Sequence, residues 1–297
     1  MVVFKNRFDL CCWSFCVTTW SCGDTVCKER FALKLSVRKC CSSLSITGSA
    51  VEGAASACKN STSISIVSFE NGKKTIQFEP LAPGERSDEN TLSVWLMPEK
   101  DDTLRDRYVV AVDVGGTSDK ADYSCILVAD RMAMIEGGVP EIAACWHGHI
   151  EHDQLAWKAV EIARAYNNAL LVIEANTLET EGTEGNNFEY ILNEIATKYS
   201  NLYCRTSQIE IKQGRPRRWG FHTNSSTKPM VINFLIKALR DGLYIERCLQ
   251  TTYELDLYEF KDNGKEMGAI EGNHDDRVMA TAILVWVCYN HPLPSRQ

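Results

Sequence analysis

The sequence predicts an α/β fold, a mixed central sheet flanked by helices, over residues 92–290. Three observations carry this. YVVAVDV (108–114) is apolar at nearly every position, as a strand buried on both faces is. Two more apolar runs, SCILVAD (124–130) and EIAACWHGHI (141–150), follow at short spacing and read as an antiparallel three-strand meander. The chain then closes on DDRVMATAILVWVC (275–288), apolar on almost every side and therefore a buried helix.

The other elements follow in order. LSVWLMP (92–98) is a short strand ahead of the meander. DQLAWKAVEIARAYN (153–167) sets Leu155, Ala159, Ile162, Ala163 and Tyr166 on one face at helical spacing. ALLVIEAN (169–176) is another buried strand, reached through that crossover helix. Helices are expected near 188–199 and over 230–239, on either side of QIEIK (208–212). Meander, crossover helix, further strand and flanking helices make a ribonuclease-H-like sheet. Trp95, Trp157 and Trp286 are expected in its core.

Upstream, SISIVSF (63–69) and KKTIQFEP (73–80) flank Asn71-Gly72, a hairpin signature, and PLAPGERSDENT (80–91) reads as a linker. Residues 61–91 are therefore a short hairpin with its linker. Residues 1–60 show no periodicity and read as an atypical, poorly ordered leader rich in Cys and Ser.

Composition narrows the function. The chain has 297 residues and a net charge of −7, so any contact with nucleic acid needs a local basic patch. No run reaches the roughly 18 apolar residues of a membrane span. The nearest, FDLCCWSFCVTTW (8–20), is broken by Asp9 and leads to no convincing cleavage site. Of thirteen cysteines, eight precede residue 60, and none forms a CxxC pair of the kind zinc sites use. The later five sit mostly in apolar runs, a distribution that suits a reducing cytosol.

Acids occupy three costly positions. Asp113 lies inside an apolar strand, Glu174 ends another, and Asp275 with Asp276 opens the buried last helix. A carboxylate beside a core must be paired, hydrogen-bonded or bound to a metal, and no Lys or Arg adjoins Asp113 or Glu174 in sequence. Taken singly, each acid has a structural reading, as a helix cap or an ion-pair partner. In the order strand Asp, strand Glu, helix Asp, they make an oxygen-rich cluster suited to Mg²⁺ or Mn²⁺. Such a cluster can hold two ions that activate water and stabilise the leaving oxygen of a phosphodiester.

The stretches LSVWLMPEKD, RYVVAVDVGGTSDKADYS, LLVIEANT, RWGFHTNSSTKPMVINFLIKALRDGLYI and GNHDDRVMATAI together resemble the nuclease domain of the large terminase subunit of tailed bacteriophages. The resemblance covers roughly two-thirds of the chain, and the GNHDDRVMA block is its most specific part. It implies a ribonuclease-H-like endonuclease that cuts concatemeric double-stranded phage DNA with two Mg²⁺ or Mn²⁺ ions during packaging, in the host cytoplasm. By position it implies Asp113, Glu174 and Asp275 as metal-binding acids, with Asp276 as substitute or assistant to Asp275. Asp122 matches an additional acid, and Asp119 is a weaker substitute. It also implies a portal protein, a small terminase subunit and a packaging ATPase as partners. The Walker A pattern of that ATPase does not occur here.

RTSQIEIKQGRPRRWGFHT (205–223) gathers Arg205, Lys212, Arg215, Arg217 and Arg218 beside Trp219, as a loop or hairpin that meets DNA phosphates or as a solvated basic turn. The resemblance adds Lys228 and His222 to the DNA-binding set. His274 adjoins the acids as cap or ligand, and TLETEGTEGNN (177–187) reads as an acidic loop. Three rivals stand beside the terminase reading. DVGGT (113–117) also suits a sugar kinase, although the further Gly-rich phosphate and adenosine motifs it needs are absent. Another ribonuclease-H-like nuclease, of resolvase or RNA–DNA hybrid type, would use the same acids. A non-catalytic module binding DNA or the portal is the third.

Overall fold

A computed structural model describes residues 62–65, 69–70, 73–74, 91–99, 103–116, 122–175, 185–260 and 267–296. The leader 1–60, Asp119 and most of the acidic loop 177–187 lie outside the described residues. In chain order the first strands are β1 (Thr62–Ser65), β2 (Phe69–Glu70), β3 (Lys73–Lys74), β4 (Thr91–Val94), β5 (Leu104–Arg105), β6 (Tyr108–Asp113), β7 (Ser124–Asp130) and β8 (Glu141–Gly148). Helix α1 (His152–Ala165) leads to β9 (Leu170–Ile173), then α2 (Gly185–Lys198), α3 (Gln208–Lys212), α4 (Thr227–Asp241) and α5 (Leu249–Asp256). The ribbon β10 (Tyr258–Phe260) and β11 (Met267–Ala269), helix α6 (Asp276–Asn290) and β12 (Ser295–Arg296) complete the order.

Six strands form the main sheet in the order β1-β4-β8-β7-β6-β9. β6, β7 and β8 pair antiparallel as the expected meander. β9 lies parallel to β6, which requires a crossover, and α1 supplies it. The result is the ribonuclease-H-like α/β arrangement read from the sequence.

Some elements differ from that reading. β1, at the start of the expected hairpin's first arm, also pairs with β4 and extends the main sheet. Among the described residues, the expected hairpin about Asn71-Gly72 is present as the pairs Phe69↔Lys74 and Glu70↔Lys73. Through β1 the backbone groups along the edge of β4 find partners, which a two-residue ribbon cannot offer. α5 and the β10–β11 ribbon were not anticipated, because eight residues and two three-residue strands carry too little periodicity.

The strand alternation sorts side chains into two cores. Tyr108, Val110 and Val112 face one, with Leu155 and Ile162 of α1 and Leu192 and Ile195 of α2. Val109 and Ala111 face the other, with Val231 and Leu235 of α4 and Val278, Ala282 and Ile283 of α6. Among the described tryptophans, Trp146 on β8 is fully buried, whereas Trp95, Trp157 and Trp286 pack partly buried against the cores. No described helix is long and apolar enough to cross a membrane.

Candidate metal centre

Strand parity brings the acids together. Asp113 continues the series Val109, Ala111 and so lies on the α6 side of the sheet. Glu174 continues Leu170, Val172 on β9 and lies on the same side. Because β6 and β9 are parallel, both acids stand at the same carboxyl edge, where the Glu174 amide donates to the Val112 carbonyl at 2.9 Å. The start of α6 adds Asp275 and Asp276. A cleft of about 310 Å³ is lined by Asp113, Asp122, Glu174, Asp275 and Asp276, with Gly115, Gly116, Thr223, Lys228 and Met279 among the other residues of its wall.

Asp275 holds the N-cap position of α6, yet its side chain makes no capping hydrogen bond. Glu254 of α5 serves instead, accepting from the amides of Arg277 at 2.8 Å and Val278 at 3.3 Å while pairing with the Arg277 guanidinium. A distant residue thus satisfies the orphan donors of the helix.

Like charges crowd this edge. Asp113 is 8% exposed, and its carboxyl is pushed well above the ordinary range. Burial is the largest cause, followed by the neighbouring Glu174 carboxylate and then by Asp276 and Asp275. Without a counter-charge, burial and this repulsion favour the protonated form of Asp113. A divalent cation relieves the repulsion while keeping every oxygen ionised, so the donor set fits a hard dication.

Local contacts explain the surrounding sequence. Gly115 lies so close to the next strand that an added Cβ would fall 2.2 Å from the Asp122 carbonyl oxygen. Its amide donates to Ser124 Oγ at 3.0 Å, and the Gly116 amide to the Asp122 carbonyl at 3.0 Å. Both amides are therefore engaged within the fold, which is unlike a loop that cradles phosphate. Farther on, Gly220 (φ +78°) packs where a Cβ would meet the Ile173 carbonyl at 2.6 Å. That approach sets Phe221 beside Glu174 and lets the buried Thr223 hydroxyl donate to Glu174 Oε1.

A ring cluster borders the acids. Tyr123 stacks on His147 at 4.7 Å between centroids, meets His149 at 3.9 Å and takes His274 edge-on at 5.1 Å. His147 Nε2 lies 3.4 Å from Asp276 Oδ2, and His274 Nδ1 lies 3.3 Å from Asp122 Oδ1. Burial holds His147 below its ordinary value, against the pull of Asp276. Asp122, His274 and Asp276 offer ligand atoms all within 4.8 Å of one another.

Among the basic residues foreseen, Lys228 lies in the cleft wall. Lys212, Arg215, Arg217 and Arg218 are exposed on a lobe closed at its base by the Cys204↔Trp219 bridge. The lobe carries the short helix α3, capped reciprocally by Ser207 and Glu210. Arg215 pairs with Glu210 at 3.0 Å, and Arg217 lies over the Trp219 ring. The half-buried His222 is not in the cleft wall; its carbonyl accepts from Thr227 Oγ1 at 2.6 Å. Sequence reasoning missed Thr223, His147, Tyr123 and Glu254. The His-Gly-His alternation at the end of β8 puts two rings on one face, but the pairing of His147 with Asp276 depends on register and leaves no mark in it.

No family model and no curated protein matches the chain. Solved structures do. The chain is similar to the large terminase nuclease of thermophilic phage G20c with bound magnesium, at 19% identity and a TM-score of 0.47 over 69% of this chain and 91% of that one. It is similar to the large terminase nuclease domain of a Thermus phage, at 18% identity and a TM-score of 0.44 over 67% and 86%. The human cytomegalovirus terminase nuclease domain, manganese-soaked with an inhibitor bound, matches at 10% identity and a TM-score of 0.38 over 64% and 86%.

Proposed function

We propose that the chain is a metal-dependent DNA endonuclease of phage terminase type, which cuts concatemeric double-stranded viral DNA during packaging by two-metal-ion phosphodiester hydrolysis. The observation that carries the reading is the cleft where Asp113, Glu174, Asp275 and Asp276 meet, with Asp113 buried among like charges. The terminase class itself rests on the resemblance of the sequence blocks quoted above.

Asp113, Glu174 and Asp275 are the residues that would hold Mg²⁺ or Mn²⁺, joined by Asp276 and Asp122. Bound dications supply an activated water for attack on phosphorus and neutralise the leaving oxygen. The chain supplies the geometry. Thr223 holds one oxygen of Glu174, and Glu254 steadies the first turn of α6. Lys228 offers an ammonium group in the same cleft to a phosphate oxygen. Lys212, Arg215, Arg217 and Arg218, with His222, contact the DNA backbone. The portal protein, the small terminase subunit and a packaging ATPase are the partners in this reading, and the host cytoplasm is its place.

The test is nicking and linearisation of plasmid DNA by the full chain with Mn²⁺, Mg²⁺ or EDTA, beside Asp113→Asn. Cutting should require metal, and the variant should be slower by on the order of 10²–10³-fold, as when one preorganised electrostatic stabiliser is lost. Undiminished cutting by Asp113→Asn would remove the metal assignment.

A further inference from the structure

The buried Asp276 has a neighbour that the metal reading alone does not use. Its side chain is 3% exposed, and that of His147 15%. Among the described residues, His147 is the side-chain partner of the Asp276 carboxylate, Nε2 to Oδ2 at 3.4 Å, a contact longer than the usual span of about 2.7–3.2 Å. His147 reaches this place by register. Asp113 pairs with Cys125 on β7, and Cys125 pairs with His147 on β8, so one row crosses the carboxyl edge from β6 to β8. Cys145, two residues before His147, faces the core that α6 covers, and His147 shares that face.

The imidazole is also held in place. Tyr123 lies nearly parallel to it, with 25° between ring planes, and leans on His149 from the same strand face. The Nδ1 atom of His149 is buried with no hydrogen-bond partner among the described residues, and its ring packs on Tyr123. Three rings in contact restrict rotation of His147 and fix the direction of its Nε2.

We infer that His147, clamped by Tyr123 and His149, is a positioning residue for Asp276: it engages Oδ2 and leaves Oδ1 as the oxygen offered to a cation. This rests on the metal-centre reading above. A carboxylate free to rotate presents either oxygen or both. One whose second oxygen is engaged presents a single ligand in one direction, which is how outer-shell partners sharpen metal affinity. The pairing also separates the two adjacent aspartates. Asp276 is the immobilised one, and Asp275 the half-buried one at the helix start.

The test is Mn²⁺ binding to the full chain by titration calorimetry, without DNA, for wild type, His147→Ala, His147→Gln and Tyr123→Leu. Loss of an outer-shell partner should weaken Mn²⁺ binding about 10–100-fold in His147→Ala. His147→Gln, which restores a donor, should recover part of that loss, and Tyr123→Leu should fall between. Melting temperatures measured alongside in EDTA separate loosened ligation from lost structure. If His147→Ala does not fold, Tyr123→Leu carries the test, and unchanged Mn²⁺ binding there overturns the inference. A His147→Ala protein that binds as wild type does would overturn it while sparing the metal centre. A wild type that takes up no Mn²⁺ would overturn the metal centre first, and this inference with it.

Discussion

The two ends of β6 carry opposite lessons about buried charge. Just before the strand, Arg107 is 8% exposed and fully matched. Its Nη2 meets Asp130 Oδ2 at 2.8 Å, its Nε bonds the same carboxylate, and Nη1 pairs with Glu99. At the far end Asp113 is equally buried, but its neighbours Glu174, Asp275 and Asp276 share its sign. One strand thus ends in a neutralised ion pair and in an electrostatic conflict. A pair of opposite charges is how a fold tolerates buried ions. A buried set of like charges in a cleft marks a candidate functional site. Burial of charge alone is therefore uninformative, and the sign of the neighbours decides.

The largest effect expected from this contrast is at the matched end. Arg107→Ala leaves Asp130, with 13% of its side chain exposed, without its main counter-charge. Breaking a buried pair from one side costs about 3–5 kcal/mol, which urea denaturation should register as a lower midpoint at unchanged slope. A loss below about 1 kcal/mol, typical of exposed pairs, would show that this end is no more than a surface salt bridge. Cleavage, where measurable, should change only through the folded fraction.

Asp113→Asn should act in the opposite direction on stability. In EDTA, at pH above the raised value where the Asp113 carboxyl is ionised, it removes a charge that its neighbours repel. The melting temperature there should therefore rise, by roughly 2–4 °C for each kcal/mol relieved in a chain of this size. The pH dependence follows from the raised Asp113 pKa. The folded state binds the proton more tightly than the unfolded chain, so this contribution to stability is present at low pH. It is lost as pH climbs past the ordinary carboxylate range and through the raised value. Wild type in EDTA should therefore lose stability with rising pH over that window, and Asp113→Asn should show less of the decline. Added Mn²⁺ should flatten the wild-type curve. Parallel curves for the two proteins would mean that Asp113 is not in conflict with its neighbours.

The contrast also explains what was legible beforehand. Asp113, Glu174, Asp275 and Asp276 could be read from sequence because each interrupts or ends an apolar run, and a run states its own burial. The meander and crossover were legible for the same reason. Parity then does the rest, since Asp113 and Glu174 each fall two residues beyond a side chain in the α6-covered core. Thr223 and His147 were not legible, because their roles depend on register between strands. Thr223 works only because Gly220 lets the chain run close along β9. Glu254 caps a helix 23 positions away from a helix too short to announce itself. Long-range pairings of this kind leave no periodic trace.

The smallest effect, and the one that extends the contrast to the surface, concerns the basic lobe. Arg215 is already paired with Glu210, whereas Arg217 and Arg218 are exposed beside Trp219. If the acid cleft is where a phosphodiester is cut, the cations of the lobe neutralise phosphates without reading bases. Each phosphate contact contributes roughly 0.9 to the slope of log K against log salt on duplex DNA. Arg217→Ala with Arg218→Ala should therefore weaken binding to every duplex alike and reduce the slope by about 2. Fluorescence anisotropy in EDTA measures this without any cleavage, so it stays independent of the metal. A slope that does not change would assign both arginines to solvent, leaving Lys228 as the foreseen basic residue that lies in the cleft wall.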